Sequence, residues 1–440
     1  METIFKLDNQ IKYYDWGSPD FIPRLMGIEP EAGVPWAELW MGSHPGSPSM
    51  ACLPSGNVSL GELIASDPGY YLGEKAAKDY GSLPFLFKLL AAGKPLSIQT
   101  HPDKVMAEKG FDRENRAGLA LDAPNRNYKD SNHKPEIICA LTPFTGMCGF
   151  RTPAEIRRLL EAFLSPLSLN PNLLSQRRRD AEEEKNISAP AILREGFTPL
   201  MRALETPDTS TALREFLLAL FNLPLEVRKA ISDYIISIPQ LDAVPIEAPH
   251  SPLPTPYSPE WELMKSFVQL YPGDSAVIAP LYLNVFRLEP GEAVYLDAGI
   301  LHAYVHGLGV ELMANSDNVL RGGLTNKHID VPELVNLLDF TPFNPQIIKP
   351  EPGFSRFTYP TPCGEFALTV MRGTGGTAIP APDGPAIFIV TEGEVTVSSN
   401  ETCCCGNIIL KRGESAFVTP TGTPPLSLSG NYTLYSASLG

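Results

Sequence analysis

Proline and glycine punctuate this chain too often for long helices to dominate it. Its 440 residues include 44 Pro and 35 Gly. Proline removes a backbone donor and clashes with the preceding helical turn, and glycine weakens regular elements. Short apolar segments between such breakers favour strands joined by turns over most of the length. One region differs. Thr152-Pro153-Ala154-Glu155 is a capping box with proline at the first helical position. Ile156, Leu159, Leu160 and Phe163 then fall on one helix face. Helices are also expected over 208–221 and 225–237. The charged stretch 177–185 reads as a solvated surface segment. Six prolines within 245–259 read as an extended connector, with strand-like sequence resuming after it.

The length allows two to four packed units. Lys and Arg number 35 against 50 Asp and Glu, a formal charge of −15. That balance argues against nucleic acid, which is held by a basic surface. A small anionic substrate would need a local basic pocket. No apolar run reaches the roughly 18–20 residues of a membrane helix, and the N-terminus has neither a signal core nor an Arg-rich transit pattern. A soluble, cytoplasmic chain without membrane partners is expected. Cys52, Cys139, Cys148, Cys363 and the run Cys403, Cys404, Cys405 contain no CxxC pair, so buried thiols are expected rather than a zinc ribbon or redox motif.

A weak repeat lies in the second half. Leu288-Glu289-Pro290-Gly291-Glu292-Ala293-Val294-Tyr295 resembles Leu410-Lys411-Arg412-Gly413-Glu414-Ser415-Ala416-Phe417. Each is a strand–turn–strand signal, and in the same register His302 aligns with Pro424. This suggests two jelly-roll barrels, of which only one keeps a metal ligand at that place.

Seven histidines leave few ligand candidates. On a strand, Ser97, Gln99 and His101 share a face. Lys134 and Glu136 have the same spacing, which suits a plain ion pair as well as a functional one. Gly291 to His302 contains G-x5-(P/D)-x-G-x2-H, whose second glycine permits a sharp turn that aims the histidine inward. Together Gln99, His101, Glu136 and His302 offer two imidazoles, a carboxylate and an amide oxygen. Two His and a Glu form a known catalytic zinc set, although iron, manganese or cobalt would also accept these donors. The stretch from Glu311 to Lys327 adds an acid, Arg321 beside Gly322-Gly323, and a lysine. Arginine suits bidentate phosphate binding; a surface loop is the other reading.

With these pieces in order, the sequence closely resembles the type I mannose-6-phosphate isomerases (phosphomannose isomerases) of the eukaryotic kind. The resemblance is carried by Tyr14-Asp15-Trp16-Gly17, Ala37-Glu38-Leu39-Trp40-Met41-Gly42, Leu83 to Lys104, and His133-Lys134-Pro135-Glu136. The turn from Ala298 to Tyr304 and the stretch from Glu311 to Arg321 complete it. It covers most of 1–345 and, more weakly, the remainder. It implies a mainly β cupin fold with two jelly-roll barrels, one catalytic and one degenerate, and an inserted α-helical domain. The expected division is 1–150 and 261–345 for the catalytic cupin, 151–260 for the helical insertion with its connector, and 346–440 for the degenerate cupin.

The resemblance also implies one zinc ion per chain, on Gln99, His101, Glu136 and His302. It places the active-site arginine at Arg321. The implied reaction interconverts mannose 6-phosphate and fructose 6-phosphate through a cis-enediol, supplying mannose for GDP-mannose and glycan synthesis. Glu311 is the first choice for the base, with Lys134 as competing proton handler. Ser97, Lys327 and Asp317 are substrate-binding candidates, and a monomer is expected. Leu301 stands where the family has Pro, and Gly322 where it has Ala. Two rivals are a non-catalytic sugar-phosphate-binding cupin and an iron-dependent cupin oxygenase. Retention of Glu311, Lys134 and Arg321 argues against the first, and Gln99 in place of a third histidine against the second.

Overall fold

The run Phe85–Ala92 is buried at all eight positions, so both faces of this strand must meet protein. In the computed structural model, which describes residues 3–165, 189–237, 259–399, 407–420 and 425–440, two different packings meet it. Phe85, Phe87, Leu89 and Ala91 join a core with Phe5, Phe417 and Tyr435. Leu90 and Ala92 point the other way and pack with Ile138, Leu296 and Tyr304. That second face carries the polar site described below.

The chain is mainly β, with two antiparallel ten-stranded sheets and several helices. The spine of the site-bearing sheet is the 13-residue strand His302–Ala314. Its first half pairs with Phe144–Phe150, placing His302 opposite Cys148. Its second half runs between Phe85–Ala92 and Glu136–Ala140, placing Glu311 opposite Lys88 and Met313 opposite Glu136. The second sheet contains the C-terminal strands from Arg356–Tyr359 to Leu426–Ser438. It also takes in Ile4–Asp8, Met50–Leu53 and Gly56–Ser59. Phe5 pairs with Phe417, and Lys6 reaches Glu414 at 2.7 Å. Sheet membership therefore crosses the sequence division at 1–150 and 346–440. Phe5 and Leu7 are buried in the core between the sheets, while Ile4 faces the core of the C-terminal strands.

Both copies of the repeat form strand, turn, strand. Gly291 and Gly413 turn the chain at φ of 92° and 85°, a conformation that disfavours a side chain. Pro424, the 403–405 cysteines, the 177–185 stretch and residues 245–258 of the connector lie outside the described residues.

Strands Phe144–Phe150 and Leu283–Leu288 pair with each other, and the described residues between them are mostly helical. The capping box on Thr152 and Glu155 forms, and the four apolar residues of helix Pro153–Leu164 are buried. Phe163 sits among the rings of Phe197, Tyr234 and Trp261, at 5.8, 5.1 and 5.4 Å between centroids. Helices Thr209–Phe221 and Leu225–Ser237 occur as expected. Strand does not resume straight after the connector, however. Pro259 opens a helix to Leu270, a 3-10 segment Ser275–Leu281 follows, and the next strand begins at Leu283. Proline is compatible with a first helical turn, and Trp261, Met264, Phe267 and Val268 bury against the helical core. No helix among the described residues is long and apolar enough to cross a membrane.

Candidate metal centre

Three strand ends converge at one point. Glu136 opens strand Glu136–Ala140, His302 opens His302–Ala314, and His101 follows Ile98–Thr100. Gly299, at φ 79°, makes the turn before His302, and its N–H donates to the His101 carbonyl at 2.9 Å. One ligand atom from each of His101, Glu136 and His302 lies within 4.8 Å of the others, and all three residues are buried.

Hydrogen bonding fixes what each imidazole presents. His101 Nδ1 lies 2.6 Å from the Asn318 carbonyl, and His302 Nδ1 lies 2.8 Å from the Ile300 carbonyl. A carbonyl can only accept, so both Nδ1 atoms donate. Burial, followed by the Lys134 charge, pushes His101 down to about 4. Its Nε2 therefore presents a lone pair at neutral pH. The Nε2 atoms of His101 and His302 lie 3.4 and 3.0 Å from the two Glu136 oxygens. Burial pushes Glu136 up, but His302 and then His101, once they carry a proton on the facing nitrogen, hold it well below the usual carboxylate range. The Tyr304 hydroxyl donates to Glu136 Oε1 at 2.9 Å. His101 Nε2, His302 Nε2 and Glu136 Oε2 are buried with no hydrogen-bond partner among the described residues. Each such atom costs about 1–3 kcal/mol unless satisfied. Converging lone pairs of two imidazoles and a carboxylate match the donor set of a divalent cation.

Gln99 lies on the short strand that leads into His101. It pairs across the sheet with His302 on one side and Arg321 on the other. Directly paired residues share a face, so Gln99, His302 and Arg321 stand on the same side. Ser97 is half-buried just before the strand, with no described side-chain partner.

A second group of charges lies on the same face of the sheet. Lys88 Nζ is 2.9 Å from Glu311 and 3.6 Å from Glu38. The Trp40 indole N–H donates to Glu38 at 2.7 Å. Burial alone would push Lys88 down, but Glu311 and Glu38 raise it above the ordinary lysine range. Burial raises Glu311, and the lowering by Lys88 is smaller. Both shifts are consistent, because two carboxylates share one ammonium and one of them holds a proton more readily. Lys134 lies 3.9 Å from Glu136, which joins this group to the candidate metal cluster.

Arg321 is half-buried, and burial alone lowers it. Among the described residues it makes no ion pair. Lys327 is lowered first by burial and then by the charges of Arg321 and Lys129, so a basic cluster forms in an acidic chain. Asp317 turns toward His44 at 3.2 Å and is half exposed. Its neighbour Asn318 is fully buried. Asn318 accepts from the Lys129 N–H at 2.7 Å and donates to the Asn132 carbonyl at 2.8 Å. That side chain anchors the backbone that orients His101.

Sequence reasoning missed Lys88, Glu38, Tyr304 and Asn318 as parts of this site. Lys88 had a usable signal, being the one charge inside the apolar run Leu83 to Leu90. A lone charge in a fully buried strand needs buried partners.

Fold and site together define a mainly β protein with a buried mixed nitrogen and oxygen metal centre beside a cluster of acids, lysines and an arginine. The family pattern of the phosphomannose isomerase type I catalytic domain matches residues 4–153. The mannose-6-phosphate isomerase of Escherichia coli (strain K12) is 37% identical over 422 residues, covering 95% of each chain. That of Bos taurus is 33% identical, covering 97% of this chain and 96% of its own. The crystal structure of a zinc-bound, holo mannose 6-phosphate isomerase superposes with a TM-score of 0.79 at 34% identity, covering 99% of both chains. The chain belongs to the mannose-6-phosphate isomerase family.

Proposed function

We propose that this chain is a zinc-dependent aldose–ketose isomerase interconverting D-mannose 6-phosphate and D-fructose 6-phosphate, feeding GDP-mannose and glycan synthesis. The observation that carries this reading is the convergence of three orphaned buried ligand atoms on one point. Gln99, His101, Glu136 and His302 would hold one zinc ion. Bound there, zinc supplies a Lewis acid that polarises a carbonyl or hydroxyl oxygen.

In the aldose-to-ketose direction a proton leaves C2 and one is returned to C1. The O2 hydroxyl loses its proton, O1 gains one, and a cis-enediol stands between the two sugars. We assign the carbon proton transfer to Glu311. Its upward shift from burial suits a base that must also return the proton. Lys134, beside Glu136, is the competing proton handler. Arg321, which makes no ion pair among the described residues, is assigned the phosphate or the developing enediolate charge. Lys327 and Ser97 are assigned phosphate contacts, and Asp317, an acid, a sugar hydroxyl.

The architecture we infer is two cupin barrels. The first comprises most of the strands within 1–150 and 283–345, the helical segment between them is an insertion, and the strands of 346–440 build the degenerate barrel. The repeated strand–turn–strand at Gly291 and Gly413 supports this reading. The enzyme is read as a cytoplasmic monomer with no nucleic-acid or membrane partner. A coupled assay for fructose 6-phosphate on chelated and zinc-restored protein tests the function. Activity should vanish on chelation and return with one zinc per chain; full activity in metal-free protein would defeat it.

A further inference from the structure

Away from the metal centre, a cleft of about 470 Å3 opens where the two sheets meet. Three arginines from separate segments line it: Arg24 of helix Phe21–Met26, Arg372 of strand Ala367–Gly373, and Arg412 of the turn before Ser415–Val418. Phe21 offers an apolar wall, and Thr142, Thr391, Glu392 and Thr433 add polar groups to the lining.

These guanidinium groups are under-neutralised. Arg24 pairs with Asp20 at 3.1 Å, both side chains largely in solvent. Arg372 lies over the Phe354 ring at 4.7 Å. Among the described residues neither Arg372 nor Arg412 makes an ion pair. Glu392 is in reach of the cleft, yet its carboxylate accepts from the Thr433 hydroxyl at 2.7 Å and forms no ion pair among the described residues. The strand Ala386–Ser399 shifts register between Val390 and Glu392, a bulge at Thr391 that re-aims this part of the lining. The lining thus carries three positive charges and one negative, with Asp20 pairing Arg24 from outside it, in a chain of net −15. Screening confines the repulsion of the remaining surface to roughly 8–10 Å.

We propose that this cleft is a second anion site that binds a small phosphate monoester, with the phosphoryl group on Arg372 and Arg412 and the organic body against Phe21. Two guanidinium forks provide parallel donors that match phosphate oxygens. The site shares no residue with the metal centre and does not depend on the function assigned to it.

Phenyl phosphate is a suitable probe, combining a phosphate dianion with a planar apolar body. Zinc-loaded enzyme is labelled with phenylglyoxal, and modification of each arginine is followed by peptide mass spectrometry. Millimolar phenyl phosphate should slow labelling of Arg372 and Arg412 at least fivefold, leaving exposed Arg287, outside the cleft, unchanged. In parallel, the Arg372→Ser/Arg412→Ser double variant should bind the probe at least tenfold more weakly by calorimetry, with isomerase kcat and KM unchanged. Equal labelling rates with and without the probe would overturn the proposal, as would equal protection of Arg287. The labelling arm uses native protein, so it decides even where the double variant folds poorly.

Discussion

Replacing Glu136 by Gln should make the metal-free protein more stable while removing its stabilisation by metal. In the native chain Glu136 Oε2 lies 3.4 Å from His101 Nε2, and neither atom has a hydrogen-bond partner among the described residues. Two lone pairs face each other, because His101 Nδ1 already donates to Asn318. A Gln amide whose oxygen keeps the 2.9 Å bond from Tyr304 places its NH2 where Oε2 stood. That NH2 can donate to His101 Nε2. One repulsive contact becomes a hydrogen bond, and a buried charge disappears. Satisfying a buried group is worth about 1–3 kcal/mol, offset slightly by the lost Lys134 contact at 3.9 Å. The chelated variant should therefore melt higher, on the order of 2–4 °C per kcal/mol. The sign reverses with zinc. At 1,000 times Kd a ligand stabilises by about 4 kcal/mol, and a neutral amide is a far poorer ligand than a carboxylate. Thermal scans of both proteins, chelated and zinc-restored, with metal content by atomic emission, measure both effects. The reasoning fails if the chelated Gln variant melts below the chelated native protein, or if zinc raises both equally.

Acid should weaken the chelated protein through His101. Its folded value of about 4 lies below the ordinary 6.5, so the unfolded chain binds more protons between those limits and stability rises with pH there. The contribution is complete above about pH 6.5 and fades as pH falls toward 4, roughly 3 kcal/mol in all. Urea midpoints of native and His101→Asn proteins at pH 5 and 7 check it; parallel pH dependence in the two would contradict it. Lys88→Met should cost about 3–5 kcal/mol, since it leaves two buried carboxylates without a counter-ion. It should also move the acid limb of kcat to higher pH as Glu311 loses the charge that lowers it; an unchanged midpoint and profile would remove Lys88 from the site. Arg321→Lys should lower kcat and kcat/KM alike if the guanidinium acts on enediolate charge, or raise KM alone if it anchors phosphate. Unchanged kcat and KM would make it a structural residue.

The proposed ligands each sit beside a local signal. Gln99 and His101 share a two-residue spacing, and His302 follows a glycine that must take positive φ, as Gly299 does. Helix Pro153–Leu164 was legible for the same reason, its cap and apolar face both being local. What stayed hidden depends on partners distant in sequence. Nothing near Ile4–Asp8 says that it pairs with Ser415–Val418, more than 400 residues away. Lys88 gave a warning without naming its partners, since Glu38 and Glu311 lie on neighbouring strands. Helix Pro259–Leu270 was obscured by the proline density before it, although Trp261, Met264 and Val268 already had helical spacing.

The charges of the site explain how an acidic chain accepts a phosphorylated sugar. Glu38, Glu136 and Glu311 face Lys88 and Lys134 within linked contacts of 3.9 Å or less where ion pairs form. Adding Arg321 brings this group to neutrality. A divalent cation among His101, Glu136 and His302 then leaves a local excess of two positive charges. A phosphate monoester carries roughly −1.5 to −2 at neutral pH, so the cation adds to the positive charge that Lys327 and Lys129 offer beside Arg321. Metal removal should consequently weaken substrate binding as well as turnover. Isothermal titration with the non-isomerisable analogue sorbitol 6-phosphate tests this without chemistry. We expect at least a tenfold loss of affinity on chelation, restored by zinc and also by another divalent cation that occupies the site. Equal affinity with and without metal would show that Arg321, Lys327 and Lys129 carry the anion alone, and that the acids and lysines on the site face of the sheet serve proton transfer rather than charge balance.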